Sequence, residues 1–388
     1  MLIDRSKLHT RRPFKEHSFG LVRKLLRINW LFVFCLCLLA GVGYAALYSA
    51  AGGAGTPYAN GQITRFAGAL VMMLCIAVVD IRLIAKLSFP AWVVGILLLV
   101  FVLKFGHVGG LGARRWMMIG GMELQPSELM KLFLAMTLGA YFRRATQEQT
   151  GNFLFVLPAI LLTLIPAALI LKEPNLGTAL IVTTIGAIIM LGAGVRWWWF
   201  ALALIVIAIT APFLYEHLHA YQRARIEIFL NPGADPLGAG YNIIQSKIAL
   251  GSGGLTGQGY LHGTQNQLNF LPEKQTDFVF TIIAEEFGFL GSIAVLALLM
   301  SIVAMAYYTA LTCAHIYGRL VALGIAANFF LYCFVNLSMV MGLIPVGGVP
   351  LPLISYGGSA LTAVMLGFGV LMSIHVHRHV DFHAPEDI

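Results

Sequence analysis

The sequence predicts an all-α integral membrane protein of about ten transmembrane helices, with a long structured extracytoplasmic loop between helices 7 and 8. Three observations carry that expectation. Of 388 residues, 59% are hydrophobic and 11% charged, whereas a soluble domain is about 45–50% apolar and about 25% charged. The mean hydropathy is +0.83. The apolar residues also come in runs of the right length, because a bilayer core of about 30 Å takes roughly 20 residues of helix. By that ruler the spans are 28–50, 63–80, 85–103, 126–142, 153–171, 176–194, 197–215, 278–310, 320–343 and 356–376. Glycine and proline inside such runs are tolerated where neighbouring elements satisfy the freed backbone groups. The first run exceeds a signal-peptide core of about 7–15 residues, so it reads as an anchor of the mature chain.

Orientation follows from the basic residues. The net charge is +8, but with so few charged groups lysine and arginine gathered at a membrane surface explain it better than nucleic acid. Arg5, Lys7, Arg11, Arg12, Lys15, Arg23, Lys24 and Arg27 precede the first span. A cytoplasmic tail places 15 of the 25 basic residues on that side and, with an even number of spans, leaves both termini in the cytoplasm. The expected organisation is a basic tail at 1–27, a polytopic domain at 28–376 with a large extracytoplasmic loop at 216–277, and a cytoplasmic tail at 377–388. Cys35, Cys37, Cys75, Cys313 and Cys333 all fall in apolar runs and read as small core residues.

Chemistry concentrates on the far side. Gln125-Pro126-Ser127-Glu128 opens the fourth span with proline in the first helical turn, and places Glu128 and Lys131 on one face at i, i+3. Ionisable groups in a span point into the bundle and pair, so this is either a packing ion pair or a charged cavity wall. Arg114-Arg115-Trp116 is an interfacial anchor or a phosphate-binding pair. Asp277 is expected in the first turn of the eighth span as an N-cap, which keeps a carboxylate ionised and fit for a general base. On a straight helix Glu285 lies about 12 Å deeper, so Glu285 and Glu286 read as structural. His217, His219 and His262 are too scattered for a metal site, and Gly251-Ser252-Gly253-Gly254 reads as tight turns. The apolar, helix-breaking stretch 344–359 reads as a re-entrant loop bordering a pocket.

These residues resemble the SEDS family of cell-wall polymerases (RodA/FtsW/SpoVE). The motifs run in order: Gly112-Ala113-Arg114-Arg115-Trp116, Gln125-Pro126-Ser127-Glu128, Leu176-Gly177-Thr178, Gly240-Tyr241-Asn242, Leu271-Pro272-Glu273 with Thr276-Asp277-Phe278, and Ser355-Tyr356-Gly357-Gly358-Ser359. The segment from Gly263 to Glu273 is similar to the RodA branch, which serves elongation. Two departures stand out: Glu173-Pro174-Asn175 where the family usually shows Gln-Pro-Asp, and Gln275 where it often has His. The resemblance implies a peptidoglycan glycosyltransferase that polymerises lipid II into β-1,4 glycan on the outer face of the bacterial cytoplasmic membrane. It also implies a class B penicillin-binding protein as partner. Asp277 matches the family's essential acid, and Glu128, Lys131 and Arg115 match cavity positions.

A polyprenyl pyrophosphate leaving group needs cations. Arg115, Arg223, Arg225 and Lys131 are the candidates, with Lys247 and Lys274 behind them. A divalent cation, Mg or Mn, could share that role, although no ligand cluster demands one and no other cofactor is expected. Two other readings stay open: a lipid-linked oligosaccharide flippase, which needs polar residues along the whole crossing, and a scaffold for the transpeptidase, in which Asp277 is dispensable.

Overall fold

Five of the long helices begin where a side chain accepts a first free N–H group. Asn29 accepts from the Phe32 amide at 3.2 Å, Asp80 from Arg82 at 2.8 Å, and Asn152 from Leu154 at 3.0 Å. Asn175 accepts from Thr178 at 3.3 Å and His315 from Gly318 at 2.9 Å. Each lies at the polar end of an apolar run, so the chain marks these five helix starts. The computed structural model describes residues 20–108, 114–119, 122–216, 220–231, 233, 239–268, 270–271, 274–345 and 347–379. Most of the basic tail, Gly112-Ala113, His217, His219, Pro272-Glu273 and residues 380–388 lie outside them.

In chain order the helices are α1 (Leu21–Leu26), α2 (Trp30–Ala50), α3 (Ala59–Ala77) and α4 (Ile81–Phe105). After a small sheet come α5 (Pro126–Phe142), α6 (Gln147–Thr150), α7 (Phe153–Lys172), α8 (Leu176–Gly192) and α9 (Trp197–Glu216). The expected long loop carries α10 (Ala220–Leu230), α11 (Ala239–Ser252) and α12 (Thr264–Gln267). α13 (Val279–Thr312), α14 (Ile316–Val340) and α15 (Gly358–Val376) complete the fold. Among the described residues seven helices are long and apolar enough to cross a membrane: α2, α3, α4, α7, α13, α14 and α15. The other three expected spans fall on α5 and α8, of 17 residues each, and on α9, whose apolar stretch is Trp197–Thr210.

The bundle has a centre and a lipid-facing shell. The apolar windows of α15 and α14 are 83% and 67% buried, against 22% for α4 and α13. α9 turns Leu204 and Ile209 outward, as a helix against lipid should. Cys313 and Cys333 are buried, but Cys37 and Cys75 are exposed on helix faces. The core reading fails for those two because lipid tails are as apolar as a core, and an apolar run does not distinguish the two environments.

Two features depart from a plain helix bundle. The first is an antiparallel sheet of β1 (His107–Val108), β2 (Arg114–Ile119) and β3 (Met122–Leu124), with Ile119 paired to Met122 and Met117 to Leu124. The second is a break in α13 at Gly288, which has φ 65° and ψ −158°, a conformation suited to glycine. The break frees backbone groups of α13, and the long loop takes them up. Gln258 and Gly259 donate to the carbonyls of Glu285 and Glu286 at 3.0 and 3.1 Å. Phe289 and Leu290 donate to the carbonyls of Gly254 and Leu255 at 2.9 and 3.1 Å. The Gly-rich patch is thus stitched into the helix it precedes, and Cβ atoms at Gly253 and Gly257 would run into the carbonyls of Ala284 and Glu286.

Candidate functional site

A buried ion pair and a tyrosine form a three-residue cluster inside the bundle. Lys131 and Glu128 on α5 are 1% and 6% exposed, and the ammonium donates to Glu128 Oε1 at 2.8 Å. Tyr332 of α14 closes it. Its hydroxyl donates to Glu128 Oε2 and also meets Lys131 Nζ, which lies 4.1 Å from the ring centroid. An ion pair taken out of water needs its remaining lone pairs satisfied, and the tyrosine does this for the carboxylate. The cluster borders a cleft lined also by Asn328, Phe329, Gly367 and Phe368. Sequence reading found the ion pair and missed Tyr332, although a tyrosine hydroxyl inside a span must find a partner.

One turn further along α14, about 6 Å, Asn336 holds the segment bearing Asp277. Its Nδ2 donates to the Asp277 carbonyl at 2.9 Å and to the Val349 carbonyl at 2.8 Å. Asp277 lies in the turn before α13 and is half-buried. The expected cap is corrected here: Phe278 is the N-cap residue, and no side chain caps that helix. Asp277 is therefore held by its carbonyl, and its carboxylate turns to the stretch after α14. A Cβ at Gly348 would stand 3.9 Å from Asp277 Oδ2.

That stretch is non-helical and buried at Val349, Leu351, Leu353, Ile354 and Ser355. Such backbone must be satisfied by protein. Gln62 of α3 donates to the Ser355 carbonyl at 2.9 Å, the Tyr356 amide donates to the Gln275 carbonyl at 2.8 Å, and the Leu351 amide donates to Ser355 Oγ at 2.8 Å. α2 passes so close that a Cβ at Gly43 would sit 2.7 Å from the Leu353 carbonyl oxygen. Asn336, Gln62 and Gln275 thus fix the wall that Asp277 faces.

The candidate cations are distributed unevenly. Arg115 donates Nε to the Glu173 carbonyl at 3.0 Å and an Nη to the Pro174 carbonyl, stapling β2 to the α7–α8 turn. Arg223 donates to the Tyr215 carbonyl at 3.0 Å and to that of Glu216, at the end of α9. The side chain of Arg225 lies outside the described ones. Lys247 is exposed, and its Nζ would stand 2.9 Å from a Cβ at Gly342, just past α14. Lys274 is 9% exposed and donates to the Asn266 carbonyl at 2.8 Å, and burial lowers its pKa. Arg115 and Arg223 therefore act first on backbone, while Lys247 and Lys274 flank the ends of the segments that frame Asp277. Among the described residues no three His, Cys, Asp or Glu side chains form a metal cage.

A residue singled out only as a departure proves unusual. Glu173 is 1% exposed, and neither carboxylate oxygen has a hydrogen-bond partner. Burial pushes its pKa up to about 8, against the opposing pull of Arg115. Its turn adjoins the wall of the site, because a Cβ at Gly177 would lie 3.1 Å from the Gly347 carbonyl oxygen.

Comparison with known proteins gives a consistent result. The model of the FtsW/RodA/SpoVE family, described as cell cycle protein, matches residues 24–380. The peptidoglycan glycosyltransferase MrdB of Escherichia coli K12 is 41% identical over 88% of this chain and 92% of its own. A probable peptidoglycan glycosyltransferase FtsW of Trichlorobacter lovleyi is 39% identical over 79% of each. A solved chain from "Structural coordination of polymerization and crosslinking by a peptidoglycan synthase complex" superimposes with TM-score 0.77 at 31% identity. It covers 91% of this chain and 99% of that one. The crystal structure of Thermus thermophilus rod shape determining protein RodA gives TM-score 0.66 at 28% identity, over 91% of this chain and 98% of that one.

Proposed function

Because this chain belongs to the FtsW/RodA/SpoVE family of cell cycle proteins, we infer that it is a multi-pass membrane peptidoglycan glycosyltransferase that polymerises lipid II. The product is β-1,4-linked glycan on the outer face of the bacterial cytoplasmic membrane, made during elongation, with a class B penicillin-binding protein crosslinking it. The likeness to the rod shape determining protein RodA over 98% of that chain, with the RodA-like segment from Gly263 to Glu273, favours the elongation role over the division one. Ten crossings, a basic tail at 1–27, a polytopic domain at 28–376 with its loop at 216–277, and a tail at 377–388 on the cytoplasmic side complete the proposal.

The observation that supports the mechanism is the seat of Asp277, a half-buried carboxylate beside Gly348 on a wall fixed by Asn336 and Gln62. In the proposed step Asp277 takes the proton of a sugar 4-hydroxyl as that oxygen attacks the anomeric carbon. The C–O bond to the polyprenyl pyrophosphate breaks, and the electron pair leaves with the phosphate. A base must already be ionised and within reach of the hydroxyl, and the growing charge on the leaving group must meet cations. Lys247 and Lys274 are the proposed nearer cations, with Arg115 and Arg223 as outer ones, and Arg225 joins them on the sequence alone. Glu128, Lys131 and Tyr332 brace the cavity floor one turn below. Asp277→Asn in purified protein is expected to abolish polymer from lipid II, in a readout that moenomycin does not inhibit, while membrane insertion is kept. Polymerisation at near wild-type rate would remove Asp277 from the mechanism.

A further inference from the structure

Arg65 is half-buried in α3, about 9 Å along the helix from its first residue, and has no part in the site described so far. Among the described residues it has no ion pair and no hydrogen bond. Its nitrogens are nevertheless not sealed inside protein. A guanidinium cannot shed its charge, and a cation within a span is costly unless an anion meets it. The described chain supplies no such anion, so the counter-charge comes from outside the protein.

The seat of this arginine is specific. Its guanidinium carbon lies 4.9 Å from the centroid of the Tyr356 ring, against which Tyr58 packs at 5.4 Å and 67°. A Cβ at Gly358 would stand 3.4 Å from Arg65 Cδ and 3.5 Å from Nε, so the stem lies along the start of α15. An arginine that only anchors its helix would stretch toward the headgroups, whereas this one is laid on the stretch that Asp277 faces. One turn earlier on α3, Gln62 holds the same stretch, donating to the Ser355 carbonyl at 2.9 Å and accepting from the Gly357 N–H at 3.4 Å. The Tyr356 amide in turn donates to the carbonyl of Gln275, two residues before Asp277. Stacking on a ring leaves the N–H donors at the edge of a guanidinium free to fork onto phosphate oxygens. Ile63, Thr64 and Ala67 beside it are exposed, so a lipid can reach Arg65 sideways from the bilayer.

We propose that Arg65, on its Tyr356 platform, binds the pyrophosphate of the incoming lipid-linked sugar, the one whose hydroxyl attacks. This assignment rests on the glycosyltransferase reading. Chain growth joins two lipid-linked sugars, each with its own polyprenyl pyrophosphate, and the cations named above serve the one that leaves. The attacking molecule arrives from the bilayer and keeps its pyrophosphate, so that charge is the same before and during bond formation. A cation placed on it contributes uniform binding, which lowers KM and leaves kcat unchanged.

The test uses the full chain in phosphatidylcholine nanodiscs, assayed for polymer from lipid II and, separately, titrated with polyprenyl pyrophosphate. Arg65→Gln should raise KM for lipid II by about tenfold or more with kcat within about twofold, and should weaken one pyrophosphate equivalent to the same degree. Arg65→Lys keeps the charge without the fork and should fall between that variant and the parent. It decides the matter should Arg65→Gln fail to fold. Lys172→Gln, an exposed change at the end of α7, should match the parent. A loss confined to kcat, or KM and binding equal to the parent in both Arg65 variants, overturns the proposal. So does disappearance of the Arg65-dependent binding in phosphatidylglycerol discs, because a bulk headgroup would then occupy the arginine. Equally tight binding of inorganic pyrophosphate overturns it too, since the lipid would then be irrelevant. Binding is read without turnover, so a parent that binds as expected yet makes no polymer removes the glycosyltransferase reading and leaves the pyrophosphate site. Polymerisation and binding indifferent to Arg65 remove the site alone.

Discussion

Replacing Glu173 with glutamine isolates one buried proton. The carboxyl is 1% exposed, and its pKa is raised from 4.5 to about 8 by burial, partly opposed by Arg115. A carboxyl that titrates higher in the folded than in the unfolded chain binds an extra proton when folded, so stability falls as pH rises between those values. Its contribution is fully present below about pH 4.5 and is lost as pH climbs to about 8. At about 1.4 kcal/mol per pH unit, ionisation at pH 7 withholds on the order of 3 kcal/mol. For a chain of 388 residues that is on the order of 4 °C in Tm, from the entropy of unfolding per residue. Glu173→Gln keeps the shape and cannot ionise. Thermal unfolding in detergent from pH 5 to 8 should show the two proteins nearly together at pH 5 and the variant increasingly more stable toward pH 8. Parallel curves across that range would mean that Glu173 does not change protonation there, and would refute the reasoning.

Other substitutions probe the remaining polar contacts. Lys131→Met alone leaves Glu128 buried without its cation and should cost about 3–5 kcal/mol. Adding Glu128→Leu should recover most of that Tm, and polymerisation should stay lost if the pair lines the site. Tyr332→Phe keeps the ring but withdraws the hydroxyl from Glu128 Oε2, and should lower stability by about 1–3 kcal/mol, read by thermal unfolding. Gly43→Ala drives a methyl to 2.7 Å from the Leu353 carbonyl oxygen. It should displace the wall facing Asp277 and cut polymer yield more than it cuts the amount of inserted protein.

What the sequence reveals depends on whether a residue is costly by itself. Glu128 and Lys131 were legible because two charges in an apolar run demand partners, and the stretch 344–359 because helix breakers at membrane depth demand a cavity or a cover. Asp277 stood out through its motif, although its placement as a cap was wrong by one residue. Tyr332, Asn336 and Gln62 stayed hidden. Tyr332 and Asn336 stand in a mostly apolar helix and Gln62 in a polar helix start, and none of the three carries a charge that demands a partner; partners of each lie 204, 59 and 293 residues away in the chain. The small sheet escaped notice because strands of two, six and three residues leave too short a pattern. The loop contacts of Glu285 stayed hidden too, because no spacing along a helix announces a partner in the loop that precedes it. Glu285 accepts from the Thr264 hydroxyl and the Gln265 backbone N–H of the loop.

The same physical rule places the candidate site. A helix bundle in lipid satisfies its backbone internally and offers no backbone polar groups to a sugar substrate. Backbone polar groups therefore have to enter where helices stop or break, and this chain does so at the turn carrying Asp277, at the adjoining stretch after α14, and farther along α13 at the break at Gly288. Each is covered by side chains from a different helix: Asn336 of α14, Gln62 of α3 and Ser49 of α2. The amides and hydroxyl that hold these segments thus decide where a carboxylate can face a substrate. Substitutions at Gln62 should lower polymer yield with Asp277 itself intact, since they move the wall and not the base, whereas substitutions at Asn336 should lower it by releasing both the wall and the turn that carries Asp277.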